Sequence, residues 1–540
     1  MSGSDVEPVV PAAPPLAPGA PRDAGREIAR GARRLSALTM LSRVLGLVRE
    51  QIFAVTLGAS GVSDAFLAAF RIPNLLRDLF AEGALSTAFV PTYVKTLKQD
   101  GRPAAFLLGN RVLTTLTFYL GAVALLGMLW PEPVVRLVGA GFSPEKRELT
   151  SHLVRIMMPY LPIISLAVVA MGALNAESRY TAPGLASSMF NLIAIAGGGT
   201  LFLLGVAPRT AVTVWAGLTL LGGLGQLSVQ FPPLWKLGWR PKFAPDLRLR
   251  NEGTRRIAAL MAPATLSVAA VQINVVVNTS FASLCAEGSI SWLGYAFRLM
   301  QLPIGVFGVA IGTTSLTHLA RDAAANDFEA LRQTLRRGIQ LVLFLTIPST
   351  VGLAVLGEPI IGLIFQHGKF SAHATVETAR ALSGFALGLA AYSAIKVVAP
   401  AFYALGKTRV PLFASLAAVG CNVVWNILTF RRFGHVGLAV GTSIAAITNL
   451  AVLIIAFQVT VHGLVNRALV CSIARIVFAA ALMGAVIWPT ARWLAARVPH
   501  GTAGRAITVL VPILLGTTVY FAAARVMRLP ELNALIRRRR

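Results

Sequence analysis

Apolar runs separated by short polar segments organise almost the whole chain. Because an α-helix needs about 20 apolar residues to cross a lipid bilayer, each run of that length predicts a transmembrane span. The sequence contains about fourteen such runs. They cover residues 35–57, 62–97, 106–130, 153–176, 182–206, 211–237, 257–286, 290–319, 338–356, 379–405, 410–430, 436–459, 469–494 and 507–526.

Three segments depart from this simple pattern. The second run, residues 62–97, is long enough to predict a broken helix, and Pro73 marks the expected break. Residues 131–148 mix apolar and charged positions and predict an amphipathic segment between the third and fourth spans. Prolines interrupt any apolar core in residues 1–34, so this Pro-, Ala- and Arg-rich stretch predicts a disordered cytoplasmic tail rather than a signal peptide.

A weak internal repeat relates two halves of the chain. Ala-Phe-Arg at residues 69–71 recurs at 296–298, and Pro183 with Ala-Ser at 186–187 recurs as Pro411 with Ala-Ser at 414–415. The offset is 227 residues in the first case and 228 in the second, which equals six spans in both. We therefore expect an all-α membrane protein with two pseudo-symmetric six-helix lobes and a final helix pair. The predicted parts are residues 35–237, a basic cytoplasmic linker at 238–256, then 257–460, the helix pair at 461–528 and a basic tail at 529–540.

Composition agrees with a membrane protein. Hydrophobic residues make up 55% of the 540 residues and charged residues only 13%, which leaves no room for a separate soluble domain. The net charge of +27 is spread over alternate loops rather than concentrated in one patch, so it does not indicate nucleic-acid binding. By the positive-inside rule these loops are cytoplasmic, which predicts a multi-pass inner-membrane protein with both termini in the cytoplasm. The three cysteines lie in apolar runs without metal-ligand spacing.

Arginines at membrane depth are the candidate chemistry. Arg43 and Arg49 lie in the first predicted span, Arg71 and Arg77 in the second, and Arg298 in the eighth. Each costs about 2.5 to 3.5 kcal/mol at the centre of a membrane helix, so we expect them to line a wet cavity. The fork of a guanidinium matches pairs of phosphate oxygens, which points to a diphosphate as the ligand.

Arg71 has a structural interpretation beside the functional one. Asp64, Arg71 and Asp78 are spaced by seven residues and share one helix face, so ion pairing within the helix is the favoured interpretation for Arg71. Arg43 lies only about two turns into its helix, where an arginine can also reach the membrane surface. For Arg49, Arg77 and Arg298, contact with the substrate is the favoured interpretation.

Several motifs then carry a resemblance to a known family. They are Ser-Arg-Val-Leu-Gly-Leu-Val-Arg-Glu at residues 42–50, Ser-Asp-Ala-Phe at 63–66, Arg-Ile-Pro-Asn-Leu-Leu-Arg at 71–77, Phe-Ala-Glu-Gly-Ala-Leu-Ser at 80–86, Ala-Phe-Val-Pro at 88–91 and Pro-Ile-Gly-Val-Phe-Gly-Val-Ala at 303–310. With these motifs the chain closely resembles the MurJ (MviN) lipid II flippases, whose superfamily also contains multidrug exporters and polysaccharide flippases. The resemblance covers nearly the whole chain except the proline-rich tail.

The resemblance implies a carrier rather than an enzyme. It implies that lipid II, an undecaprenyl-diphosphate-linked disaccharide peptide, is moved to the periplasmic leaflet for cell wall synthesis by alternating access. By position it assigns substrate binding to Arg43, Arg49, Arg77 and Arg298, and supporting acidic or polar roles to Glu50, Asp64, Glu82 and Gln301. In family terms the final helix pair forms a groove for the lipid tail. Membrane lipids and cell wall synthesis proteins are the other expected partners, and we expect no cofactor.

Two departures from the family pattern are visible in the sequence. Many relatives have acidic residues beside the eighth-span arginine, where this chain has Phe297 and Gln301, so the role of such a carboxylate is lost or moved. Some members bind sodium through carboxylates on the seventh and eleventh spans, but the matching positions here are uncharged. They are Asn278, Asn422, Asn426 and Thr442. We therefore expect hydrogen bonds between helices at these amides rather than a metal site.

Two other functions remain open at this stage. A flippase for another polyprenyl-diphosphate-linked oligosaccharide would need the same arginines. A membrane-embedded glycosyl- or phosphotransferase belongs to a different class and would need acidic residues at metal-ligand spacing, which the short loops lack.

Overall fold

The computed structural model describes residues 22–79, 84–499 and 501–536, and all regular secondary structure in these ranges is helical. The first half of the chain forms α1 (Arg22–Leu57), α2 (Gly61–Arg77), α3 (Ala84–Gln99), α4 (Gly101–Leu129), α5 (Glu132–Val138), α6 (Pro144–Met157), α7 (Tyr160–Ala176), α8 (Thr181–Leu203) and α9 (Pro208–Lys236). The second half forms α10 (Glu252–Ser283), α11 (Ser289–Pro303), α12 (Val309–Ala324), α13 (Phe328–Ile364), α14 (Ala372–Ala404) and α15 (Arg409–Val461). A final pair, α16 (Arg467–Arg497) and α17 (Thr502–Val526), is followed by the short α18 (Pro530–Ile536).

The helices are those of a multi-pass membrane protein. Within the described ranges, ten helical segments are long and apolar enough to cross a bilayer. Helices α1, α2, α3 and α10 are not among the ten: α2 and α3 have only 17 and 16 residues, and the polar residues of α1 and α10 reduce their hydropathy. The all-α membrane fold is confirmed, whereas the count of fourteen spans stays a prediction.

One long helix contains two of the predicted spans. Helix α15 runs through Gly434, whose backbone angles of φ 55° and ψ −139° are not helical and reverse the chain. This reversal falls between the predicted spans at 410–430 and 436–459. Glycine is suited to the position because a side chain is strained at such a positive φ.

Two predicted boundaries are wrong, and the predicted amphipathic segment forms two helices. Helix α1 begins at Arg22, so residues 22–34 are helical rather than a disordered tail, because the last proline of that region is Pro21 and Ala and Arg favour helix. Residues 1–21 lie outside the described residues. Pro73 does not break α2, which continues to Arg77, because backbone hydrogen bonds are costly to lose in a membrane. The amphipathic segment at 131–148 is divided between α5 and the beginning of α6.

Buried apolar residues join the two halves into one bundle. A single core cluster contains Phe53, Trp215 and Ala65 of the first half together with Tyr295 and Phe365 of the second. The final pair packs on α13, where the buried Tyr520 hydroxyl donates a hydrogen bond of 2.6 Å to the carbonyl oxygen of Phe344. Apolar surface is therefore buried where the two halves of the bundle pack against each other.

Loops of the two halves contact each other at one end of the bundle, which we call the closed end and define by residues 55–60, 139–143, 283–291 and 365–371. The amide of Lys369 donates to the carbonyl oxygen of Val55 over 3.0 Å, and the amide of Gly141 donates to Ser283 Oγ over 3.1 Å. A Cβ on Gly141 would lie 2.3 Å from the Ser283 carbonyl oxygen. The backbones therefore approach closely enough to require glycine there.

Candidate functional site

Two arginines from different halves of the chain share one carboxylate. Glu50 on α1 lies 2.6 Å from Nη2 of Arg49 and 3.1 Å from Nη2 of Arg298, which α11 supplies from the second half. Glu50 is 7% exposed, whereas the Arg298 side chain is 47% exposed. The pair of arginines exceeds the carboxylate by one positive charge, so the cluster retains affinity for an anion.

This cluster lines a small cavity with aromatic walls. Phe53, Phe70, Phe190 and Trp215 form part of its lining. The Arg49 guanidinium carbon lies 5.3 Å from the centre of the Phe190 ring, within range of a cation–π contact. A cationic surface with aromatic neighbours suits a ligand that carries both phosphate and sugar groups.

The acid beside Arg298 comes from the other half of the chain. Phe297 packs on Phe385 with ring centres 5.4 Å apart, and Gln301 is exposed. Neither neighbour in sequence supplies a charge, but Glu50 does so across the cavity. Arg298 therefore obtains its acidic partner from a residue that lies 248 positions earlier in the chain.

Arg43 is exposed and lies next to the eighth predicted span at Gly305, which follows Arg298 along that span. A π-helical turn at Ile304–Gly308 joins α11 to α12, and Gly305 lies within it. A Cβ on Gly305 would be 2.8 Å from Nη1 of Arg43, so the glycine leaves room for the guanidinium. Arg43 is not among the residues that line the central cavity.

Arg77 belongs to a separate charged cluster at the end of α2. Its Nη2 donates to Asp78 over 2.9 Å, and the amide of Gln272 on α10 donates to the same carboxylate over 3.0 Å. Like Arg43, it does not line the central cavity. Glu82, predicted to support this part of the site, lies outside the described residues.

Asp64 fastens the closed end and does not pair with Arg71. It accepts hydrogen bonds from the amides of Gly288 and Ser291 over 2.8 and 2.9 Å, and from Ser291 Oγ over 2.7 Å. Lys146 Nζ lies 3.1 Å away. Asp64 is therefore not the partner of Arg71 within α2, because the start of α11 and Lys146 engage it instead, whereas Asp78 attracts Arg71 without forming a salt bridge. Lys146 was missed because nothing in its sequence surroundings relates it to α2.

The predicted amide positions of the second half do meet. Asn426 Nδ2 donates to Asn278 Oδ1 over 2.7 Å and to Asn422 Oδ1 over 3.2 Å. Thr442 donates instead to the carbonyl oxygen of Leu438 within its own helix. Two of the amide oxygens accept these hydrogen bonds, and the bond between Asn426 and Asn278 joins two helices, as expected for amides inside a membrane bundle.

Comparison with known proteins identifies the family. The family described as lipid II flippase MurJ matches residues 53–500. The chain belongs to this family. It is 36% identical to the lipid II flippase MurJ of Burkholderia cenocepacia over 424 residues, covering 77% of this chain and 81% of the relative. It is 34% identical to the probable lipid II flippase MurJ of Vibrio cholerae over 517 residues, covering 93% and 96%.

Solved structures agree with this membership. A structure described as lipid II flippase MurJ in an inward closed conformation matches with a TM-score of 0.77 and 27% identity, over 93% of this chain and 99% of that one. An inward-facing multidrug transporter of the MATE family matches with a TM-score of 0.64 at 16% identity over 80% of this chain and 98% of that one, which shows a shared fold. The predicted family is therefore confirmed.

Proposed function

We propose that this protein moves lipid II, the lipid-linked peptidoglycan precursor, from the cytoplasmic to the periplasmic leaflet of the inner membrane for cell wall synthesis. Membership of the MurJ family supports the substrate. The observation that carries the site assignment is the shared carboxylate, because Arg49 and Arg298 reach Glu50 from opposite halves of the chain. A diphosphate bound there would contact both halves at once.

In this mechanism Glu50 acts as an internal counter-ion. It holds the two arginines together without substrate, and the diphosphate then replaces it at one or both guanidiniums. Arg49 and Arg298 present paired donors to phosphate oxygens, which strengthens binding to a diphosphate over a single carboxylate. Arg43 and Arg77 bind parts of the substrate that extend beyond the central cavity.

Movement of the two lobes would carry the bound group across. We assign residues 35–237 and 257–460 to these lobes, and the pair at 461–528 to the lipid tail. The contacts of Asp64 with α11 close one end in the conformation described, and we place that end at the periplasm with both termini in the cytoplasm. An inside-negative potential contributes about 2.3 kcal/mol per charge per 100 mV and would return the cationic site to the cytoplasmic side.

We further propose that the protein performs no covalent chemistry. The acid in the central cavity is engaged by two arginines, and within the described residues no group of His, Cys, Asp and Glu has metal-binding geometry. A flippase for another polyprenyl-diphosphate-linked oligosaccharide is the second candidate, because the arginines recognise the diphosphate rather than the sugar or peptide.

Complementation in a bacterium depleted of its own lipid II flippase tests the proposal. We expect the wild-type chain to restore growth and access of lipid II to the outer leaflet. Arg49→Ala and Arg298→Ala should abolish this rescue at wild-type protein levels. The matched control Arg136→Ala changes an exposed arginine on α5 and should rescue fully. Lack of rescue by correctly inserted wild-type protein would favour the second candidate, whereas rescue by both cavity variants would exclude the proposed site.

A further inference from the structure

A second cavity lies in the first half of the bundle, apart from the central one. It has a volume of ≈ 410 Å³, within the roughly 300–1,000 Å³ typical of ligand cavities. Helices α2, α4, α5 and α6 supply most of its walls, and α10 contributes Val276. Arg71 is the only charged residue among its lining residues in the described ranges.

Arg71 forms no salt bridge with any of the described residues. Its Nε is buried without a hydrogen-bond partner. The two acids on the same face of α2 bind elsewhere: Asp64 binds the start of α11 and Lys146, and Asp78 binds Arg77 and Gln272. Arg298 repels Arg71 more strongly than Asp78 attracts it. A charge so placed in an apolar wall is costly unless a bound anion offsets it.

The order of residues along α2 orients a ligand in this cavity. The cavity meets Arg71 first and then Ile72, Leu75 and Leu76, which lie further from the beginning of the helix. Arg71 is ten residues from Gly61, or about 15 Å along the helix, and its long side chain can extend back towards the closed end. An anionic group therefore belongs on the side of the closed end, with an apolar chain running deeper.

The rim of the cavity has the character of a membrane surface. Trp130 follows the end of α4, is 62% exposed and lines the cavity, and tryptophan favours the boundary between headgroups and acyl chains. The next helix, α5, turns Val134 and Leu137 to the cavity, while its Arg136 pairs with Glu132 over 2.8 Å on the exposed side. Such an amphipathic helix lies in the plane of the interface.

We propose that this cavity binds one anionic phospholipid of the leaflet at the closed end, with its phosphate on Arg71 and one acyl chain between α2 and α4. The lipid supplies a counter-charge in direct contact with Arg71, where no described carboxylate forms a salt bridge. It also joins the amphipathic α5 to the bundle. This site is separate from the central cavity and from the final helix pair proposed for the lipid tail of the substrate.

Native mass spectrometry of the purified full-length protein tests the site. Equal amounts of phosphatidylglycerol and phosphatidylcholine are added, and the retained lipid is counted on monodisperse protein. We expect the wild type to retain one phosphatidylglycerol in preference to phosphatidylcholine. Arg71→Gln should reduce this retention at least tenfold, whereas Arg136→Gln, which removes an exposed arginine of α5, should leave it unchanged.

A second variant keeps the charge and removes the space. Leu126→Trp fills part of the cavity wall on α4 and should also abolish retention, which tests the site even if Arg71→Gln folds poorly. Unchanged retention in both variants, or equal retention of the zwitterionic lipid by the wild type, would overturn the proposal. Displacement of phosphatidylglycerol by polyprenyl diphosphate, with loss of that competition in Arg71→Gln, would instead assign the cavity to the substrate.

Discussion

Two carboxylates of the first half bind the second half, and they do so in opposite ways. Asp64 is 2% exposed and is satisfied by two backbone amides, a hydroxyl and one lysine. Glu50 is held by two guanidiniums at the edge of the central cavity. Backbone amides at a helix start cannot reorient towards a competing anion, whereas arginine side chains can.

The comparison shows how the contact between the two halves can combine a stable carboxylate with one that a ligand can replace. Asp64 makes a contact that must break as a unit when the closed end opens. Glu50 makes a contact that an incoming diphosphate can replace one guanidinium at a time. The first suits a gate and the second suits a binding site, although both are single carboxylates between the same two halves.

The largest effect is expected from Asp64→Ala. The substitution leaves Lys146 without its partner and the amides at the start of α11 without their acceptor, which for a buried pair costs about 3 to 5 kcal/mol. The closed end should open. In a chain whose three native cysteines are replaced by serine, labelling of Ser289→Cys by a membrane-impermeant maleimide should rise at least tenfold, because Ser289 is buried next to this contact. Labelling equal to that of the same chain with Asp64 intact would contradict the role of Asp64 at the closed end.

Glu50→Gln should have a somewhat smaller effect on stability and a distinct effect on binding. Two arginines lose their counter-ion, but Arg298 is half exposed, so we expect a loss of about 3 kcal/mol, at the low end for a buried pair. Because the carboxylate no longer competes, inorganic pyrophosphate should raise the melting temperature of this variant more than that of the wild type. A smaller shift than in the wild type would exclude Glu50 as an internal competitor.

A matched pair of glycine substitutions tests the close packing of the closed end. Gly141→Ala places a Cβ 2.3 Å from the Ser283 carbonyl oxygen and should cost about 1 to 3 kcal/mol. Gly121→Ala on α4 meets nothing within 4 Å and should be neutral or slightly stabilising. Thermal unfolding in one detergent measures both variants. Equal melting temperatures would show that the loops can separate without cost.

The smallest effect is expected at the linker after α9. The pKa of Asp246 is lowered: partial burial raises it, but hydrogen bonds from the amides of Asn251 and Arg250 outweigh that effect. A lowered pKa stabilises the fold above the ordinary value for Asp of about 3.9, and the contribution is lost as the pH falls through the folded-state pKa. Hydrogen exchange of the linker should therefore be slower in the wild type than in Asp246→Asn at pH 7. A difference that persists unchanged into strong acid would rule out this carboxylate as the cause.

Much of the architecture followed from the sequence alone. The apolar spans could be predicted because the thickness of a bilayer dictates the length of an apolar helix. Gly434 divides α15 where two predicted spans meet, and the motifs around Arg49 and Arg298 identified the family before any geometry. These features are local, or they are periodic along the chain, so the residues that cause them are neighbours in sequence.

Only the tertiary structure decided which charges meet. The spacing of Asp64, Arg71 and Asp78 predicted ion pairs along α2, yet Asp64 binds α11 and Lys146, and Arg71 faces the second cavity. Likewise Arg298 obtains its acid from Glu50 across the bundle. Helical spacing shows which side chains share a face, but the partner of each face depends on how the halves pack. In an apolar bundle that packing decides whether a buried charge is neutralised within the protein or remains available to a ligand.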